Sequence, residues 1–203
     1  EGLVYSSSQW HYKGDGKGTT CTSAIKLTRD LYGARTDLRW CGTDWIQGYL
    51  EKYRAVYPNL IKHDARYPSP DKLASLVKIG NIDFEGEMSQ DTDGSNHIKQ
   101  VLLDDKEGPV YMQVWGGTNT IARALKSIEE QYKGTDAWQR IYDKVSKKAV
   151  IYAILDQDAT YKEYIAKSWP DIRVVYNAKQ FASFCPGYVG MKYVPKPLQK
   201  YFQ

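Results

Sequence analysis

The feature that most constrains this chain is an alternation between residues 109 and 176. Pro109-Val110-Tyr111-Met112-Gln113-Val114-Trp115 reads as a strand of mostly buried character and runs straight into Gly116-Gly117-Thr118-Asn119. A helix carrying Ile121, Ala122, Leu125 and Ile128 follows, and a further helix, Ala137 to Lys147, leads into Ala149-Val150-Ile151-Tyr152-Ala153-Ile154-Leu155. That run is continuous and rich in β-branched residues, as a central parallel strand should be. It ends at Asp156-Gln157-Asp158; a helix spans Thr160 to Ser168, and Ile172-Arg173-Val174-Val175-Tyr176 makes one more strand beyond Pro170. Strand, helix, strand, helix, strand demands a parallel sheet with crossover helices, so the expected class is α/β.

Upstream the elements are shorter. Gly2 to Tyr5 is apolar and β-prone and stops in the polar run Ser6-Ser7-Ser8-Gln9. The loop Gly14-Asp15-Gly16-Lys17-Gly18-Thr19-Thr20 lacks the GxxxxGK[ST] spacing and the preceding apolar strand of a phosphate loop, so it reads as a surface or lid loop. Thr43-Asp44 caps a helix with the stripe Trp45, Ile46, Tyr49, Leu50 and Tyr53, expected to end before Pro58. Ser69-Pro70-Asp71 opens a second helix through Leu73, Leu76 and Val77, closed by Ile79-Gly80. After the acidic loop from Phe84 to Gly94, Ser95 is expected to cap a helix with Ile98, Val101 and Leu102. From Phe181 onward the pattern dissolves.

Composition excludes more than it selects. With 203 residues, 42% of them apolar, the default is one domain spanning 1–203 with a continuous core. No stretch approaches the ~18–20 apolar residues of a membrane span, so no membrane partner is expected. The segment Glu1-Gly2-Leu3-Val4-Tyr5 lacks the basic and apolar regions of a signal peptide. The net charge of +4 comes from scattered Lys and Arg, with Lys147-Lys148 the longest basic pair, which argues against a nucleic-acid partner. Cys21, Cys41 and Cys185 have no metal-ligand spacing; one disulfide with a free thiol and three buried thiols are both open. The aromatic set is unusual, with 17 Tyr and 6 Trp against 4 Phe. Such side chains suit sugar stacking as well as a Tyr-rich core.

In open parallel sheets ligands bind beyond the carboxyl ends of the strands. The residues there are Ser6, Ser7, Ser8, Gln9 and His11 after the first strand, and Gly116, Gly117, Thr118 and Asn119 after the next. Asp156, Gln157 and Asp158 follow the third, and Asn177 and Gln180 the last. All are sized to hydrogen-bond hydroxyls, and Asp156 and Asp158 can also accept from sugar hydroxyls or bind a hard cation such as Ca²⁺. Thr118, Asn119 and Asp158 serve equally well as helix caps. Of the aromatic residues, Trp10 and Tyr12 lie in a loop and are the better stacking candidates, with Trp40 and Trp115 beside them; Trp45, on an apolar stripe, reads as core. His11, His63 and His97 share no metal spacing, and His11 alone sits where it can protonate a leaving group.

The runs Glu1 to Gln9, Phe84-Glu85-Gly86-Glu87, Trp115-Gly116-Gly117-Thr118-Asn119-Thr120-Ile121-Ala122-Arg123-Ala124-Leu125 and Leu155-Asp156-Gln157-Asp158-Ala159 resemble the nucleoside-hydrolase-like domain of a secreted bacterial family labelled cellulose-binding. The resemblance extends to about Tyr176. It implies a three-layer α/β/α, Rossmann-like nucleoside-hydrolase-like fold, incomplete as it stands, in a secreted or periplasmic protein. It also implies a sugar, nucleoside or polysaccharide ligand and a homo-oligomer. By the analogy Ser8, Gln9, Trp10, Glu85, Glu87, Asn119, Asp156, Gln157 and Asp158 form the ligand site, and the turn at Thr118 and Asn119 offers a backbone carbonyl to Ca²⁺. Relatives begin with a strand ending in an aspartate-rich motif that supplies metal ligands and a base; this chain starts just after that point. Without that strand the sheet is expected to lose a central member and expose apolar edges. Two functions follow from the resemblance: hydrolysis of a glycosidic or N-ribosidic bond in the complete form, with Ca²⁺, or binding of plant polysaccharide without catalysis. A scaffold without a small ligand is a third.

Overall fold

A computed structural model describes residues 1–178 and 195–199. Two parallel sheets organise it. One pairs β1 (Leu3–Tyr5) with β4 (Val77–Ile79); the other runs β5 (Val110–Val114), β6 (Ala149–Ala153), β7 (Arg173–Tyr176) in that order. A small antiparallel ribbon, β2 (Cys21–Thr22) with β3 (Ala34–Arg35), stands apart, flanking α1 (Lys26–Tyr32).

The alternation expected between 109 and 176 is present. β5 and β6 pair in register from Val110↔Ala149 to Val114↔Ala153, and β7 continues the ladder on the other side of β6. Crossover helices α5 (Asn119–Tyr132) and α6 (Trp138–Lys148) connect β5 to β6, and α4 (Asp93–Leu103) packs on both. Leu102, Leu125, Ile128, Val145 and Ile151 are fully buried where these elements meet. Trp169 closes the cluster, stacked on Tyr142 with centroids 5.1 Å apart. Burying each such aliphatic side chain contributes roughly 1.5–3 kcal/mol, so this is where the fold is anchored.

Several boundaries differ from the sequence reading. The strand at 110 is not mostly buried: Tyr111 is 61% exposed and Gln113 is exposed, so only one face of β5 is covered. Helix α2 (Trp45–His63) continues through Pro58. Proline removes one amide from the helix interior and crowds the carbonyl four residues back; here Arg54 and Pro58 both lie on an exposed stretch, where water can satisfy that carbonyl. Helix α3 (Pro70–Ser75) has the expected Ser69 cap, which accepts from Lys72 N–H, but stops before Val77. Val77–Ile79 instead forms β4, because the backbone of β1 offers it a ladder. The cap of α4 is Thr92, and Ser95 is the reciprocal member of a capping box three residues on. The segment 161–168 begins as one π-helical turn, Tyr161–Ile165, before α7 (Ala166–Ser168).

Candidate functional site

The loops beyond the strand ends do converge. Ser7 N–H donates to Asn81 O (3.0 Å), Gly117 N–H to Ser7 O (2.9 Å) and Gln9 N–H to Gln157 O (2.6 Å), joining the segments that follow β1, β4, β5 and β6. Their carboxyl ends therefore lie at one edge. Gly117 permits this closeness, since a Cβ there would collide with the Asp158 carboxylate and the Ser7 carbonyl.

Behind that edge lies a buried polar network. The Asn119 amide donates from Nδ2 to Ser7 Oγ (2.9 Å), Asn81 O (2.9 Å) and Glu87 O (2.8 Å), holding three segments at once. Asp158 is almost fully buried and accepts from Asn119 N–H (2.8 Å), Thr160 N–H (3.0 Å) and Thr160 Oγ1 (2.6 Å). It thus sits at the positive N-terminus of α5. Burial nevertheless outweighs these donors and raises its carboxyl above the ordinary range. Asn119 Oδ1 is buried with no partner among the described residues.

The remaining residues named from sequence are mostly engaged inward. Gln9 accepts from Thr28 Oγ1, and Gln157 donates from Nε2 to Trp115 O (2.9 Å) and Ile154 O (2.8 Å). Glu87 accepts from Ser89 and Asn81, which hold its carboxylate below the ordinary range against burial. Glu85 accepts from Ser23 Oγ (3.0 Å), and burial pushes its carboxyl up. Asp156 accepts from the amides of Tyr161 (3.3 Å) and Lys162 (3.0 Å), and burial raises it too. Asn177 extends the β7 ladder through its N–H to Ala153 O (2.9 Å), while Gln180 and Cys185 lie outside the described residues.

What reaches solvent is a different set. A cleft of about 1190 Å³ runs along β1 and β5, with Ser6, Ser8, His11, Trp45, Trp115 and Gly116 among its lining residues near the strands' carboxyl ends. Trp115 is 62% exposed and Trp45 43%, so Trp45 is not core. Tyr12 is no stacking platform: it is 3% exposed, lies against Phe84, and burial pushes its phenol up to about 12. Trp10 is half-buried, edge-on to Tyr32. His11 packs on Trp40 and its Nε2 lies 3.0 Å from Cys41 Sγ, a pairing that nothing in the spacing signals. Burial lowers the His11 pKa, which disfavours the charged imidazolium that would protonate a leaving group. Trp115 and the exposed Tyr111 and Gln113 share the odd-numbered alternation of β5; that period was the available signal for this surface.

Cys21 and Cys41 are free thiols. Among the described residues no three His, Cys, Asp or Glu side chains gather as a metal site. Ca²⁺ takes six to eight oxygens, whereas the Asp158 oxygens are already held by Asn119 and Thr160. The residues present do not fit a calcium ion on their own.

The fold and this carboxyl-edge site define an α/β parallel-sheet protein of the nucleoside-hydrolase-like class. Residues 1–194 match the family described as "Cellulose-binding Sde182, nucleoside hydrolase-like domain", and the chain belongs to that family. It is also similar, at 25% identity with a TM-score of 0.63, to a solved nucleoside hydrolase-related hypothetical protein from Saccharophagus degradans that is associated with carbohydrate metabolism. That similarity covers 85% of this chain and 35% of the other, so this chain spans about a third of that protein's length. No curated protein matches significantly. No helix among the described residues is long and apolar enough to cross a membrane.

Proposed function

We propose that this domain binds a carbohydrate, a sugar or a polysaccharide chain such as cellulose, at the carboxyl edge of its parallel strands and outside the cell. The observation that carries the reading is the composition of the cleft mouth: an exposed indole, Trp115, beside the hydroxyl of Ser6 and the backbone of Gly116. An indole face stacks on the apolar face of a pyranose while hydroxyls exchange hydrogen bonds with its rim. Family membership points the same way. Titration calorimetry with cellohexaose tests it: the parent chain binds, and Trp115→Ala weakens binding at least tenfold while circular dichroism stays unchanged. Equal binding by the parent and Trp115→Ala, or none by the parent, refutes this site.

Hydrolysis is the second reading, and class membership alone favours it. Such chemistry needs a carboxylate or a metal-bound hydroxide to activate water. Three acidic groups beyond the strand ends, Asp156, Asp158 and Glu85, already accept hydrogen bonds from protein donors. Incubating the complete polypeptide with Ca²⁺ and either nucleosides or oligosaccharides, and measuring released base or reducing sugar, separates a hydrolase from a binder.

A further inference from the structure

The contact between His11 and Cys41 takes no part in the carboxyl-edge network, and the backbone builds it with care. The segment after β1 folds back on itself, Ser8 N–H donating to His11 O (2.8 Å) and His11 N–H to Ser8 O (3.1 Å). One residue on, Tyr12 N–H donates to Leu38 O (3.0 Å) and Leu38 N–H to Tyr12 O (3.3 Å). That bridge lays a distant segment alongside His11. The chain then turns through Arg39, at φ 48, and Gly42, at φ 81. Between them Trp40 packs on the imidazole, centroids 5.1 Å apart, and Cys41 Sγ lies 3.0 Å from His11 Nε2. A left-handed arginine is a strained backbone state that its surroundings must hold. Here the Arg39 guanidinium donates to Tyr32 Oη (2.8 Å) and lies over the Tyr32 ring, turned to that partner.

The two described cysteines occupy opposite settings. Cys21 is half-buried, and burial together with the nearby Glu85 carboxylate pushes its thiol up. Cys41 is exposed and touches a base. Tyr5 of β1 feels the charges of both Cys41 and Asp44, the residue before α2. Burial raises the Tyr5 phenol, which donates to Gln47 Oε1 (3.1 Å) and stays a neutral hydroxyl. The imidazole is therefore the base in contact with the sulfur. Its own burial disfavours the imidazolium and leaves a ring nitrogen free to take a proton.

We propose that Cys41 and His11 form an exchangeable-thiol site that takes up small disulfides as a mixed disulfide on the exposed sulfur. The thiolate is the nucleophile in such exchange. His11 Nε2 takes the proton from Cys41 Sγ as that sulfur attacks one sulfur of R–S–S–R. A new S–S bond forms, the old one breaks, and the proton leaves with the departing sulfur as R–SH. One disulfide is consumed and one is made, so the exchange needs no separate oxidant, and a small thiol reverses it. His11 lines the cleft, so the adduct is carried beside the cleft's mouth.

The inference is independent of the carbohydrate reading and is tested without sugar. The probe is dithiodipyridine, added below stoichiometry to the 203-residue chain, quenched with acid and mapped by peptide mass. The map reads Cys21 and Cys41 separately. At pH 7 Cys41 should react at least tenfold faster than Cys21. An unassisted thiol with a pKa near ~8.5 gains about eightfold in rate from pH 7 to pH 8. With His11 as its base, Cys41 should gain less than threefold over that step. His11→Gln, which keeps a polar side chain but no base, should slow Cys41 at least fivefold at pH 7 and restore the steep rise. Three results overturn the proposal: Cys41 no faster than Cys21, the full eightfold gain in the parent chain, or His11→Gln as fast as the parent. The first two are read on the unaltered chain, so they decide the matter even where the substitution disturbs folding.

Discussion

The two halves of this molecule handle their apolar side chains in opposite ways. From Asp93 to Tyr176 the large aliphatics are turned inward, with Leu102, Leu125, Ile128, Val145 and Ile151 all at 0% exposure. Before residue 93 the buried apolar set is thin, and Leu27 (56%), Leu31 (60%), Tyr49 (63%) and Val56 (49%) face solvent. The second half has three paired strands and helices on its faces; the first has four short strands in two separate pairs and helices with little to cover. The difference teaches that local stability and local function are separated here. The second half supplies the packed frame, and the cleft opens where the first half meets β5.

The comparison can be broken by mutation, and the largest effect is expected in the frame. Ile151→Ala leaves a cavity under the central strand and should cost about 2–5 kcal/mol in denaturant unfolding. Leu31→Ala or Tyr49→Ala should change stability by less than about 0.5 kcal/mol. Similar losses at both kinds of site would erase the distinction. At the junction between the halves, Gly117→Ala forces a side chain against Asp158 and the Ser7 carbonyl and should cost about 1–3 kcal/mol. Asp158→Ala strands the Asn119 and Thr160 amides at a similar cost of about 1–3 kcal/mol. Because those bonds serve the frame, both effects should appear as a lower melting temperature before any change in ligand binding. Smaller still, Thr92→Ala removes the cap of α4 and should cost about 1 kcal/mol.

The smallest effect is a pH signature. Burial raises the folded-state pKa of Glu85, so its protonated form is the one that folding favours. Its stability contribution is complete below the unfolded value, near ~4.3, and is lost as pH rises through the folded value. Glu85→Gln, which stays neutral, should therefore melt at a higher temperature than the parent at pH 7 and at the same temperature well below pH 4. A lower melting temperature for the variant at pH 7 would show that the negative charge is needed there.

The frame was legible in the sequence because its periods are long and its breaks are strong. The run Ala149 to Leu155 and the stripe Ile121, Ala122, Leu125, Ile128 each admit one structure, and the Asp-Gln-Asp and Gly-Gly turns mark their ends. The strand Val77–Ile79 was missed because three residues after a helix carry no period of their own; the backbone of β1 makes them a strand. Pro58 misled because exposure, which lets a helix carry a proline, is a tertiary fact. At the strands' carboxyl edge, sequence named loops that the structure brings together, but not which side chains bind one another. Asn119, Gln157 and Asp158 are sized for hydroxyls, yet their partners include protein atoms from distant segments: Ser7 for Asn119, Trp115 for Gln157 and the Asn119 amide for Asp158. The surface they leave exposed, centred on Trp115, follows from the alternation within β5, which the apolar character of that segment obscured.

The account rests on the sheet being interrupted between β1 and β5, and amide hydrogen exchange on the chain alone tests that most directly. The prediction is alternation along each wall: fast exchange at Val4, Tyr111 and Gln113, and slow exchange at Leu3, Tyr5, Met112 and Val114. Uniform protection along both strands would contradict it, because every amide would then already have a partner and no cleft would separate the two sheets.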